Sequence, residues 1–284
     1  MADELVAEIE SKLQSLVELR AQETELGMIG SPSDEELAQL TNTHDTIRDT
    51  KLELAEFLAQ LQDHEISEVG ASAMEIQLVN SCTRGDDDIE LIDAILTHWK
   101  HDCSGVINSE GVLALACADG HLQVVQRMLL YPGLAVEMGE VIPLACYNSF
   151  RRVPLMKLFL DEGSPVDWGK EGVAEEVGPA LQEFFVDVCQ KCNDKEDQRE
   201  RAVVLERLLT HPQLAGRIDL VAEDGNGLTV FGRAVMAGDT EAMRLAHKHH
   251  PEGLSDVLAD GSTHLQRAVL KDQAGAVEWL LARR

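Results

Sequence analysis

Apolar residues recur at helical intervals almost from the start of the chain. Val6, Ile9, Leu13 and Leu16 are spaced 3, 4 and 3 residues apart, which is one face of a helix. Gly27 is placed to end that helix in a left-handed cap. Pro32 then precedes Ser33-Asp34-Glu35-Glu36, an N-cap serine three residues before a glutamate, which is capping-box spacing. The acidic first turn also opposes the positive end of the helix dipole. Leu37, Leu40, His44, Ile47, Lys51, Leu54, Leu58 and Leu61 come next at alternating intervals of 3 and 4, a heptad seam with two polar members. The pattern predicts a helical hairpin over residues 1–70, able to cap the rest of the chain or to pair with a second copy. His44 and Lys51 could fix the register of such a seam; the favoured expectation is that they sit at its edge with their polar tips in water.

From residue 71 onward the chain repeats itself. Gly111-Val112-Leu113-Ala114-Leu115-Ala116-Cys117-Ala118-Asp119-Gly120-His121 reads as a short apolar helix stopped by a Gly-His turn. Leu122, Val124, Val125, Met128, Leu129 and Leu130 then supply the apolar face of a second helix. The same order returns around Cys82 before Ile89, Ile92 and Ile95, and around Pro143-Leu144-Ala145-Cys146 before Val153, Leu155, Met156 and Leu160. It returns again at Val188-Cys189, at Arg233-Ala234-Val235 and at Arg267-Ala268-Val269. Cys82, Cys117, Cys146, Cys189, Val235 and Val269 are then equivalent positions, spaced 35, 29, 43, 46 and 34 residues apart. The two long intervals are read as insertions, one of them the charged run 193–201 between the helices of the fourth unit.

These segments resemble ankyrin repeats, whose period is about 33 residues. The likeness rests on the small-residue helix, the Gly-His turn at Gly120-His121, the Val-Val and Leu-Leu face after it, and the Gly-led turn at Gly163-Ser164-Pro165-Val166-Asp167. The family's Thr-Pro-Leu-His opening survives only as the fragments Pro143-Leu144 and Thr263-His264-Leu265. The resemblance implies an all-α solenoid of about six divergent repeats over residues 71–284, preceded by the amphipathic hairpin. It also implies an interaction module such as an adaptor, scaffold or dedicated chaperone.

Composition adds charge to this picture. The chain has 51 acidic and 24 basic residues, a formal net of −27, and residues 1–70 alone hold 17 acidic and 4 basic residues. Such a surface disfavours nucleic acid and anionic membranes and attracts a basic protein partner. The start of the chain has neither the basic nor the apolar region of a secretion signal, and no long apolar run spans a membrane. Six cysteines in a chain of 284 residues then read as reduced thiols in the cytoplasm or nucleus.

Each chemical constellation has a plainer structural reading. Cys189-Gln190-Lys191-Cys192 lacks the second ligand pair that zinc requires and the βαβ context of a redox motif. His247, His249 and His250 fit the cationic end of a surface helix. Gly225-Asn226-Gly227 through Gly232 has the wrong last spacing for a dinucleotide loop and reads as a linking turn. Asp119 and His121 have no nucleophile beside them, and the family's turn histidine is structural. No catalytic residue, metal or cofactor is expected. Trp168, on a turn tip, is weighed equally as an interface anchor and as packing. The leading expectation places a basic protein partner on the tips around Asp167, Trp168, Glu223, Asp224 and Asp260 and on the adjacent first helices. A homodimer through residues 1–70 is the alternative, and a metal- or thiol-dependent enzyme the least favoured reading.

Overall fold

A computed structural model describes the chain apart from residues 1, 30–31, 61–67, 86–87, 99–102, 110, 132–137, 149–150, 162, 165, 171, 190–194, 225, 256–257, 259–260 and 284. The described residues form 15 α-helices and no strand element. The all-α class expected from the periodicity is what the chain adopts. It divides into two compact units, Met1–Val136 and Glu137–Arg284. The first unit therefore holds the hairpin together with helices assigned above to the repeats.

In the first unit, α1 (Ala2–Gly27) and α2 (Asp34–Gln60) run antiparallel, with Lys12 paired to Glu53 and His44 to Glu23. Ile9, Leu13 and Leu16 of α1 and Ile47, Leu54 and Leu58 of α2 are buried. The capping box forms as read: the Glu36 carboxylate accepts from the Ser33 backbone at 2.7 Å, and the Ser33 hydroxyl accepts from the Glu36 backbone at 3.3 Å. The left-handed cap at Gly27 does not form, because that residue has no positive φ and the helix runs through it. Helix α3 (Glu68–Arg84) pairs with α4 (Ile89–His98), and the hairpin lies on both, α1 against α3 and α2 against α4. The short α5 (Ser104–Ser109) leads to α6 (Val112–Asp119) and α7 (Leu122–Leu129); α6 stacks on α3 and α7 on α4.

Lys51 departs from its expected place. Instead of extending into water, it is part-buried against Asp88, itself only 4% exposed. Arg20 of α1 lies 3.6 Å from the other oxygen of the same carboxylate, and Arg84 pairs with Glu23 at 2.7 Å. Burial works against the charged forms of both Arg20 and Lys51. At Glu23 burial raises the pKa, but Arg84 and His44 outweigh it and hold the carboxyl below its ordinary value. Three helices and the α3–α4 turn are joined through these ions. His44 does keep an exposed ring.

In the second unit, α8 (Met138–Tyr147) and α9 (Arg152–Leu160) form a pair, followed by the longer α10 (Val173–Val188) and α11 (Lys195–Thr210). Helices α12 (Val230–Ala237) with α13 (Thr240–His249), and α14 (His264–Leu270) with α15 (Ala274–Leu281), complete it. First helices meet first helices in the order α8, α10, α12, α14, and second helices meet in the order α9, α11, α13, α15. The charged run near residue 195 is thus the opening of α11 and not a loop between helices. The long interval there arises from two 16-residue helices.

Two local devices recur at repeat spacing. Thr229 and Thr263, 34 residues apart, cap α12 and α14 by accepting from the backbones of Gly232 and Gln266. The turn glycines Gly85 (φ 110°) and Gly238 (φ 73°) each lie under the side chain that follows the next turn, His121 in one case and Gln273 in the other. The register positions Cys82, Cys117, Cys146, Cys189 and Val235 are all buried. Val269 is the exception: it is 60% exposed, and Ala268 takes the buried place.

Candidate functional site

Of the five tip residues chosen from sequence, Trp168 and Asp224 are engaged within their own turns. Asp167 and Glu223 are exposed, and Asp260 lies outside the described residues. Trp168 is only 6% exposed, its indole N–H donates to the Phe159 carbonyl at 3.3 Å, and its ring meets His211 edge-on at 5.9 Å. It anchors the turn from within, and is unavailable as an exposed contact. Asp224 accepts from the backbones of Asn226 and Leu228 at 2.7 and 3.1 Å and is ion-paired to Arg233. Its carboxylate holds the loop before α12 in shape.

The adjacent first helices are more informative. Glu140, Leu144 and Tyr147 occupy one exposed face of α8, at intervals of 4 and 3. Glu176, Pro179 and Glu183 occupy the matching exposed face of α10. The two helices run parallel and in register: the Glu176 carboxylate lies against Gly139, and the Tyr147 hydroxyl donates to the Glu183 carboxylate at 3.0 Å. That hydrogen bond to a carboxylate raises the Tyr147 pKa above its ordinary value, since losing the proton would set two anions side by side. Tyr147 is 54% exposed, and Leu144 beside it is exposed as well. The result is an apolar strip with an aromatic anchor, edged on both sides by carboxylates.

Beneath this strip the two helices are firmly seated. Val141, Ile142, Ala145 and Cys146 of α8 and Val177, Leu181, Phe184 and Phe185 of α10 are buried. Burying the Val, Ile, Leu and Phe side chains among them contributes about 1.5–3 kcal/mol each. Arg152 of α9 pairs with Asp187 at 3.0 Å, and the Gln182 amide bonds the Asp219 backbone in both directions, at 3.0 and 2.8 Å. The exposed face is therefore carried on fixed helices. Sequence reading passed over Tyr147 and Glu183; their spacing of 36 residues, on facing helices, was the available signal.

A second concavity, a cleft of about 510 Å³ in the first unit, is lined by Glu23, His44, Lys51, Arg84 and Asp88 among others. Its inner charges are already paired with one another, which makes it the mouth of the ion network described above. Among the described residues, no group of three or more His, Cys, Asp or Glu side chains is placed to hold a metal ion. Cys192 lies outside them. His247 turns toward Trp279, with ring centroids 5.6 Å apart. Trp279 is half-buried, also facing Phe231 and carrying Arg283 at 3.8 Å from its ring. Trp99 is outside the described residues. Among the described residues no helix is long and apolar enough to cross a membrane.

Cys82, Cys103, Cys117, Cys146 and Cys189 are all buried. Burial pushes Cys82 and Cys146 up to about 12, with Asp88 adding to the effect on Cys82, and raises Cys117 still further. Thiolate is the reactive form. A Cys192→Ser chain is therefore expected to give almost no reaction with a disulfide reagent at pH 8 while folded, and all five thiols once unfolded. A prompt native reaction would show that these helices open readily.

Comparison with protein-family models finds no match to this chain. Comparison with curated proteins likewise finds none.

Proposed function

We propose that this chain is a non-catalytic interaction module built of ankyrin-like helix pairs, and that it takes a basic segment of a partner protein on the exposed face of α8 and α10. The observation that carries the reading is the exposed Tyr147 beside Leu144, framed by Glu140, Glu176 and Glu183. Tyrosine and an apolar neighbour are the usual energetic centre of a protein interface, and polar or charged groups form its rim. A partner segment with one apolar side chain between lysines or arginines matches that layout. The net charge of −27 draws such a segment in from a distance. The recurrent threonine caps and the paired contacts at Gly85 and Gly238 support the ankyrin-like reading.

The test must separate this face from the general field of an acidic protein. A labelled 20-residue peptide of lysine, leucine and one tryptophan serves as probe in fluorescence anisotropy. Glu183→Lys is expected to weaken its binding at least tenfold at 0.15 M salt. Glu56→Lys, the same charge change on an exposed position of α2, is expected to weaken it no more than twofold. Equal losses in the two variants would mean that the peptide reads net charge alone and that the face is not the site.

A further inference from the structure

The outer face of α14 is apolar and uncovered among the described residues. Leu265 and Val269 lie four residues apart along it, and Leu270 is next; Val269 is 60% and Leu270 76% exposed. With Gly261, Ser262 and Gln266 they line a shallow groove. Adjacent exposed side chains of this size mark a binding surface more often than an accident of folding. The groove ends at a cation. Lys271 follows Leu270 directly and is exposed, and residues 261–284 hold four basic and two acidic residues, a local net of +2 in a chain whose total is −27.

The complementary surface is on this same sequence. At the loop end of the α1–α2 hairpin, Met28 and Leu37 are exposed, and exposed Glu25, Asp34 and Glu35 stand beside them. That end is apolar and acidic where the α14 face is apolar and basic. We propose that the α14 face of one molecule docks on the hairpin loop end of a second copy, so that copies associate head to tail. Such a contact joins two different patches, as heterologous interfaces do. Two α14 faces meeting each other would set Lys271 against Lys271, and two hairpin ends would oppose their acidic turns, so neither symmetric pairing gains the charge match. The overall charge of −27 repels copies from a distance. At 0.15 M salt that field is screened beyond about 8 Å, and the local match is what remains at contact.

Sedimentation velocity on the full chain tests this. At 0.15 M salt the average mass is expected to rise with concentration above the 31.2 kDa of one chain. A tail variant, Val269→Glu with Leu270→Glu, and a head variant, Met28→Lys with Leu37→Lys, are each expected to stay at 31.2 kDa over the same range. All four positions are exposed, so the core is untouched. Mixed in equal amounts, the two variants retain one intact head and one intact tail, and a two-chain species is expected to return. A wild-type chain that stays monomeric at 200 µM (roughly 100-fold above a Kd of a few micromolar) would overturn the proposal. So would a tail variant that assembles like the wild type, or a mixture that remains monomeric while the wild type associates.

Discussion

Asp88→Ala is expected to destabilise the protein by about 3–5 kcal/mol, the usual cost of removing one partner from a buried ion pair. Asp88 is 4% exposed and is the carboxylate shared by Lys51 of α2 and Arg20 of α1. Without it, two largely desolvated cations lie near each other and Arg84, and Glu23 is already paired with Arg84. The Arg20 and Lys51 side chains keep only 11% and 13% of their surface exposed. Urea denaturation followed by circular dichroism measures the loss. Asp88→Ala combined with Lys51→Met is expected to recover a large part of it, since one unpaired charge then disappears together with its desolvation. A loss below about 1 kcal/mol in the single variant would match an exposed pair and show that the network is solvated.

Gly85→Val is expected to cost roughly 2–4 kcal/mol, combining left-handed backbone strain with overpacking. The residue has φ of 110°, and a Cβ there would enter the His121 imidazole. The two contributions can be separated. Gly85→Ala should lose more stability in the presence of His121 than in a His121→Ala background, with a coupling of about 1 kcal/mol or more. Strain alone would give the same loss in both backgrounds and would mean that the turn-to-turn contact plays no part in how α6 and α7 stack on α3 and α4.

Much of this architecture could be read from residue spacing, because aliphatic periodicity reports directly on which side of a helix is covered. The buried Ile9, Leu13 and Leu16 and the Ser33–Glu36 capping box arise from local rules alone. The buried cysteine register has the same origin. The readings that failed needed partners distant in sequence. Lys51 is drawn inward, to a part-buried place, because Asp88, 37 residues later, waits for it. Trp168 turned inward because the Phe159 carbonyl and His211 ring offered its indole a polar and an aromatic neighbour. Asp224 was visible as an acid in a turn, but its commitment to Arg233 was not. Val269 broke the register because nothing among the described residues covers that side of α14, so the spacing rule had no packing to enforce it.

The exposed face of α8 and α10 illustrates how the same helix pair serves two ends. Inward-facing positions of each helix are used in stacking, which leaves Glu140, Leu144 and Tyr147 on one helix and Glu176 and Glu183 on the next as a free surface of fixed geometry. Stacking sets the distance between the two stripes, and the Tyr147–Glu183 hydrogen bond then restricts the ring. A partner meeting an anchor already held in place loses less conformational entropy on binding.

The most direct measurement is site-specific photocrosslinking of the full chain in an extract of its own cells, with the reactive amino acid at position 147 and, separately, at position 56. A covalent product is expected from position 147, its attached partner peptide rich in lysine and arginine, with little or none from position 56. A partner captured equally at both positions, or an acidic segment attached at position 147, would contradict a basic partner seated on the α8–α10 face.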